Sequence, residues 1–580
     1  MSDRGSEKPL ALAGWRLSVV LAGLTAGFVV IGVKLVMLHS IESSMLKHQA
    51  ALRTIKSEVL PAVRGSIYDR NGVPVAISAP VHTLWVNPGR ADPEQAEWKQ
   101  AAALLELDEA QLRDSIRQRS ERGFMYLKRH VSPDLAAAVK ALKLVGLAAD
   151  SESKRFYPAG EVAAHVAGLT NVDDSGQEGI ELAYNEWLSG SPGKRKVLKD
   201  RDGHVIDHLE LESAARDGRN IQLSLDLRLQ YMAYRELKAA VSGYGAMSGS
   251  VVMLDVESGE LLAMVNQPSF NPNDRSDLEP ERMRNRAVTD VFEPGSTMKP
   301  FTIAAAIESG KYRASSRIDT SPGYLRLGNY TIRDGANYGE LDMGGVIAKS
   351  SNVGAAKIAR ELGGEQLWGM FSQAGFGQPT GVEYPGERYG VLPSPSDWRP
   401  SQLSSLAYGY GMSSTVMQLA QGYQVLANKG VRRPVSLFHR AEDNLEQAPI
   451  QVMSATTAVS VVNMLRRVIT EGTGKRAAVS GFSVAGKSGT VHRLGAQGYE
   501  AEEYSALFAG MAPADNPRIV VVVVIHSPRK GEYYGGEVAA PVFSRIVSDS
   551  LRILGVQPDR PDSLLADATA AASGVSSERH

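Results

Sequence analysis

The sequence has 580 residues, a formal net charge of −1 (63 Lys+Arg against 64 Asp+Glu), 43% hydrophobic residues and no cysteine. That length exceeds the roughly 250–300 residues one core holds, so more than one domain is expected, and the ordinary apolar content argues against general disorder. Near-zero charge argues against a coat for nucleic acid, and zero cysteine excludes disulfides, thiolate nucleophiles, iron–sulfur clusters and cysteine-ligated zinc.

Leu17–Val33 is a run of seventeen residues without a charge, and Leu35–Leu38 continues it beyond Lys34. At about 1.5 Å per residue the span 17–38 reaches roughly 33 Å, enough for a hydrocarbon core near 30 Å. Lys34 sits late enough to snorkel, and Trp15 lies at the interface. A cleaved signal peptide is the rival, but its apolar region is shorter and VMLHSIESS offers no small-x-small site. The segment therefore reads as an uncleaved anchor, with residues 1–16 as a cytoplasmic tail. Arg4, Lys8 and Arg16 before it suit that orientation, although Lys47, Arg53 and Lys56 after it blunt the charge argument.

Residues 39–220 read as a folded α+β module. Arg64-Gly-Ser-Ile-Tyr-Asp-Arg-Asn-Gly72 carries an Asn-Gly turn between apolar stretches, a hairpin signal. Asp92-Pro93 and Ser132-Pro133 read as helix starts, a capping side chain followed by proline at the first helical position. From 221 the pattern changes. Gly249–Val265 predicts two strands joined at Glu257-Ser-Gly259, and Ser483–Ala485, Tyr504–Met511 and Ile519–Ile525 predict further strands. The run Arg518–His526 is too short for a spanning helix and is β-branched, so it reads as a buried strand. Helical segments between these strands suggest an antiparallel sheet with helices packed on it. Residues 557–580, rich in Asp, Ser, Ala and Pro, read as a disordered tail.

Three short elements carry the chemistry. Glu293-Pro-Gly-Ser296-Thr-Met-Lys299 opens a helix running to Ile307, with Gly310 as its C-terminal cap, so Ser296 and Lys299 share a face. A serine needs a base, and a lysine can serve if burial or a second cation lowers its pKa. Ser350-Ser-Asn352 follows the helical Gly345-Val-Ile-Ala-Lys. Lys487-Ser488-Gly489-Thr490 lies on a strand, where Gly489 lets a substrate backbone approach. Alone, the first reads more readily as an N-cap serine followed by a surface lysine, the second as a polar helix junction and the third as a turn; their order, spacing and placement together are specific.

Ser-x-x-Lys, Ser-x-Asn and Lys-Ser/Thr-Gly in this order resemble the motifs of the penicillin-binding proteins and serine β-lactamases. The longer text resembles the class B, division-type D,D-transpeptidases of the FtsI type. Arg64–Gly72, Gly168–Asp173, Gln177–Glu181, Lys199–Gly203, Arg286–Ser296, Tyr408–Ser413 and Tyr533–Phe543 carry this likeness, which spans the anchor through about residue 555. Two departures stand out: Ser488 where many relatives have Thr, and Val416 where the division branch commonly has Pro, leaving Thr415 as the cap of helix 416–428.

The resemblance implies an α+β fold: a single N-terminal transmembrane helix, an elongated pedestal module over 39–220, and a penicillin-binding/serine β-lactamase-like transpeptidase domain over 221–556. It implies a septal peptidoglycan D,D-transpeptidase, of the serine-type D-Ala-D-Ala carboxypeptidase and transpeptidase chemistry, that cross-links stem peptides and is a β-lactam target. Ser296 would attack the penultimate D-Ala carbonyl and Lys299 would take its proton. Ser350 would relay a proton to the leaving amine, and Asn352 would bind the donor's peptide amide. Lys487, Ser488 and Thr490 would bind the terminal carboxylate, and the N–H groups of Ser296 and Thr490 would form the oxyanion hole. Tyr504, Tyr533 and Tyr534 would wall the pocket, although as residues they read equally as core or surface aromatics. No metal or organic cofactor is implied. The implied partners are lipid-linked glycan strands, a SEDS-type glycosyltransferase and other division proteins, at the septum of the bacterial inner membrane with the catalytic domain in the periplasm. An elongation-type transpeptidase, a D,D-carboxypeptidase or β-lactamase, and a non-enzymatic anchored scaffold or sensor are the alternatives.

Overall fold

The computed structural model of the chain describes residues 14–40, 55–199, 205–439, 448–495 and 498–563. Outside them lie residues 1–13 of the expected tail, 200–203 of the Lys199–Gly203 segment, and 564–580 of the expected C-terminal tail.

Helix α1 (Gly14–Ser40) contains the whole predicted apolar span and is long and apolar enough to cross a membrane. Its Ser18 and Thr25 hydroxyls donate to the Gly14 and Leu21 carbonyls at 3.1 and 2.8 Å, so these polar groups are satisfied within the helix.

The chain divides into two compact units, 1–62 with 191–217, and 63–190 with 218–580. In the first, strands Ile55–Leu60, Gly193–Lys199 and Val205–Ser213 form an antiparallel sheet in that order, with Glu58 and Arg195 paired at 2.6 Å.

The second unit begins with a sheet centred on Pro74–Val86, which pairs with Ile67–Tyr68, Met125–Val131 and Leu147–Phe156. The expected hairpin turn is present. Asp69 accepts from the Asn71 and Val73 amides at 2.8 Å each, and Gly72 takes the left-handed conformation. Ser132 caps the helix Pro133–Ala141 as expected. Asp92-Pro93 does not start a helix: residues 93–94 and 96–97 are turns and the helix is Trp98–Leu105. Burial of Trp98, Ala101, Ala102 and Leu105 on one face sets that start, and the Trp98 indole donates to the Asp92 carbonyl at 2.9 Å.

The second half of this unit is a five-stranded antiparallel sheet between helical layers. Its strands are β1 (Ser248–Asp255), β2 (Leu261–Gln267), β3 (Ala485–Gly495), β4 (Gly498–Ala512) and β5 (Ile519–His526), in the order β2-β1-β5-β4-β3. Every residue of β5 is buried, and its two faces enter different cores. Val520, Val522 and Val524 pack with Leu419 and Ala420, whereas Val521, Val523 and Ile525 pack with Leu237, Val542 and Ile546. A strand covered on both sides has no polar alternation, which is why the run is continuously apolar. The edge strand β3 begins at Ala485, so Ser483 precedes the strand in which it was expected. Ser483 is occupied elsewhere: its amide donates to Asp559 at 2.7 Å, and the Arg560 amide donates to the Gly481 carbonyl at 3.0 Å. Residues 557–563, expected to be disordered, include this docked segment.

Candidate active site

Ser296 lies on a 3₁₀ turn, Gly295–Met298, that feeds helix α2 (Lys299–Glu308). The single helix expected from Ser296 is thus a tighter turn joined to an α-helix, which still keeps the two side chains together. The Lys299 Nζ lies 3.0 Å from the Ser296 Oγ. Gly295 holds φ at +56°, and a Cβ there would meet the Val491 Cγ1 of β3 at 2.3 Å. Only glycine fits so close an approach in that backbone conformation.

Ser350 sits between helices α3 (Met343–Ala348) and α4 (Asn352–Leu362), with φ at +56°. This left-handed conformation is unusual for serine. It puts both the carbonyl and the Oγ of Ser350 near Lys299 Nζ, at 2.6 and 3.0 Å. The Asn352 Oδ1 adds a contact of 2.7 Å, and its amide nitrogen donates to the Arg333 carbonyl at 3.1 Å, which fixes the flip of that side chain.

Four oxygens therefore surround the Lys299 nitrogen. The two shortest contacts are to a carbonyl and an amide oxygen, which can only accept. A neutral amine has two N–H groups for them and one lone pair for the hydroxyls of Ser296 and Ser350. The geometry thus suits a neutral lysine that accepts the serine proton. The electrostatics agree: burial first, then the charge of Lys487, hold the Lys299 amine well below the usual lysine range, and Asp334 only partly opposes them. Ser296 and Ser350 Oγ are 3.1 Å apart, which completes a proton path.

The third motif lies on edge strand β3. A Cβ on Gly489 would stand 3.1 Å from the Thr297 Cγ2, so the strand rests against the nucleophile turn. Lys487 is fully buried and donates to the Ser488 carbonyl at 2.8 Å; burial pushes its amine down to about 7. The Ser488 hydroxyl is shared with Thr473 at 2.6 Å. Thr490 Oγ1 accepts from the Gly535 amide at 2.9 Å, which aims its own proton elsewhere.

Of the three tyrosines, Tyr504 stacks on Tyr533 at 4.3 Å and Tyr533 on Tyr534 at 4.4 Å, with His492 against Tyr504 at 4.5 Å. They form one aromatic column beginning on β3 and β4, and among the described residues it hydrogen-bonds none of Ser296, Lys299, Ser350 and Asn352.

Sequence reasoning did not find Asp334. Its carboxylate accepts from the Ser351 hydroxyl and the Asn352 and Val353 amides at 2.5, 2.6 and 3.0 Å, capping α4 and fixing the second motif. No local signal marks an aspartate that acts on a helix 18 residues away. Tyr408, with its ring 6.0 Å from the Lys299 nitrogen, and Thr473 were also unassigned. Tyr408 lies in the segment Tyr408–Ser413 that carries the family likeness but had no role assigned, and the flanking glycines of Gly472-Thr473-Gly474 are the signal that could have drawn attention to Thr473.

A serine, a buried lysine and a second serine share one hydrogen-bonded cluster, an arrangement suited to acyl transfer. The penicillin binding protein transpeptidase domain family model matches residues 249–548, and the penicillin-binding protein dimerisation domain model matches 59–223. A probable peptidoglycan D,D-transpeptidase, PbpC of Pseudomonas aeruginosa, is 40% identical over 91% of this chain and 93% of its own length. The peptidoglycan D,D-transpeptidase FtsI of Escherichia coli K12 is 38% identical over 94% and 93%. The crystal structure of penicillin binding protein 3 of Mycobacterium tuberculosis complexed with aztreonam superposes with a TM-score of 0.68 at 28% identity, over 87% of this chain and 99% of that one. The chain belongs to the penicillin-binding proteins, in the class B, FtsI-type branch of serine D,D-transpeptidases.

Proposed function

We propose that this protein is the septal peptidoglycan cross-linking enzyme of its cell, working through an acyl-serine intermediate. The observation that carries the mechanism is the buried Lys299 nitrogen 3.0 Å from the Ser296 hydroxyl, with the Ser350 carbonyl and the Asn352 Oδ1 closer still at 2.6 and 2.7 Å.

Lys299 takes the proton as Ser296 attacks the penultimate D-Ala carbonyl of a donor stem peptide. Ser350 passes a proton to the leaving D-Ala amine. Asn352 orients the donor amide, and Lys487, Ser488 and Thr490 receive the terminal carboxylate, whose charge favours the protonated form of Lys487. The Ser296 and Thr490 amides stabilise the oxyanion; one such donor contributes about 3–4 kcal/mol in other enzymes. Gly489 leaves the edge of β3 open to the donor backbone, and Tyr504, Tyr533 and Tyr534 wall the far side. An amine of a second strand then resolves the ester. β-Lactams acylate the same serine and stay attached.

The proposed division of labour is an anchor at 17–38, a pedestal over 39–220 that docks a SEDS-type glycosyltransferase and other division proteins, and a transpeptidase domain over 221–556 in the periplasm. The test is covalent labelling by fluorescent penicillin, combined with Ser296→Ala in cells depleted of the wild type. Wild type should form a stable adduct, Ser296→Ala none, and its cells should filament. Rapid penicillin turnover would instead favour a β-lactamase, and normal septation by the alanine variant would favour a scaffold.

A further inference from the structure

Three residues before the nucleophile, Glu293 presents a half-buried carboxylate. Its oxygens accept from the Gly411 amide at 2.8 Å and lie 3.2 and 3.0 Å from the Tyr499 hydroxyl. Among the described residues no lysine, arginine or histidine pairs with it. Burial, partly offset by the Gly411 and Tyr499 bonds, raises its pKa.

The surroundings are aromatic. Tyr410 and Tyr499 have ring centroids 6.4 Å apart, Tyr408 and Tyr410 5.8 Å, and the Tyr408 ring is 6.0 Å from the Lys299 nitrogen. The Glu293 charge helps raise the pKa values of both Tyr410 and Tyr499, so both face it. Gly409 in the same loop accepts from the Gly295 amide at 3.1 Å, beside Ser296. A continuous series of contacts thus links the carboxylate to the catalytic lysine. An anion without a counter-ion among the described residues, beside two tyrosine side chains, is the chemistry that receives an organic ammonium group.

The reaction requires such a group. On the reading above, the acyl-enzyme is resolved by a primary amine, which is an ammonium ion in neutral water and cannot attack until it loses a proton. We infer that Glu293, with Tyr410 and Tyr499, forms the subsite that receives the acceptor ammonium and takes its first proton. The neutral nitrogen then bonds to the acyl carbon and the bond from that carbon to the Ser296 Oγ breaks. A second proton moves from the nitrogen to Oγ through Lys299. The products are the amide, free serine and a protonated Glu293, which returns its proton to water.

This inference rests on the transpeptidase reading, and the two can fail separately. The experiment uses the full chain in detergent, a thioester acyl donor and glycinamide as the amine probe, with acylation and the ratio of aminolysis to hydrolysis measured separately. For Glu293→Gln the ratio should fall at least tenfold while acylation falls less than threefold. Tyr499→Phe, which keeps the ring and removes one hydrogen bond, should lower the ratio by a smaller factor, and Glu293→Asp should recover part of it. An unchanged ratio in Glu293→Gln, or an equal fall in acylation, would overturn the inference, the latter because Glu293 would then only brace the nucleophile turn. A wild type that forms no acyl-enzyme would overturn the underlying reading itself, and the subsite with it.

Discussion

Lys299 and Lys487 are both fully buried, and their ammonium forms are disfavoured for that reason. This has a consequence for stability. Lys487 in the unfolded chain titrates near 10.5, whereas in the fold it titrates near 7. Between those values the unfolded state binds more protons, so stability rises with pH, by up to about 1.4 kcal/mol per pH unit from this group. Lys487→Met removes that dependence. In urea unfolding followed from pH 7 to pH 10, the wild type should therefore gain stability relative to the variant as pH rises; a parallel pair of curves would show that Lys487 is not neutral in the fold. On the proposed function this cost has a use, since a lysine that acts as a base needs its pKa lowered by burial.

At the scale of elements, the site is a junction of a 3₁₀ turn, a helix–helix junction and an edge strand. Asp334 holds the second of these through three hydrogen bonds from α4 and Ser351. Asp334→Ala leaves two amides and a hydroxyl unpaired. The expected loss is about 1–3 kcal/mol of stability. Displacement of Asn352 should also slow penicillin acylation roughly 10- to 100-fold. Thermal melts and stopped-flow acylation check the two effects independently. The three motifs were legible because their residue types and order are specific. Asp334 was not, because it acts across space on a helix it does not precede directly. The Asp92-Pro93 expectation failed for a related reason: a local capping signal was outweighed by the burial of Trp98 and its helical neighbours.

For the molecule as a whole, the segments Arg64–Gly72 and Gln177–Glu181 meet in one buried ionic network. Glu181 is fully buried between Arg64 and Arg155, at 2.7 and 2.6 Å, and Arg64 also donates to Asn185 and Ser189 at 2.9 and 2.8 Å. Asp69 accepts from the Leu227 amide at 3.1 Å, and Arg70 pairs with Glu260 at 3.1 Å, so the Arg64–Gly72 hairpin also grips the transpeptidase half. Glu181→Leu removes the carboxylate that pairs both guanidinium groups and should cost about 3–5 kcal/mol. Calorimetry should show a correspondingly lower unfolding temperature, with penicillin still bound by the protein that remains folded.

The linear sequence determined the anchor, the buried strand β5 and the identities of Ser296, Lys299, Ser350, Asn352 and Lys487, because hydrophobic run length, β-branching and motif order are properties of neighbouring residues. Length and zero cysteine had restricted the chain to a multi-domain protein without thiol chemistry. Only the tertiary structure decided that four oxygens surround the Lys299 nitrogen, that Asp334 fixes the second motif, and that among the described residues no lysine, arginine or histidine pairs with Glu293. These depend on distances between residues far apart in the chain, and on burial, which lowers the pKa of a lysine removed from water.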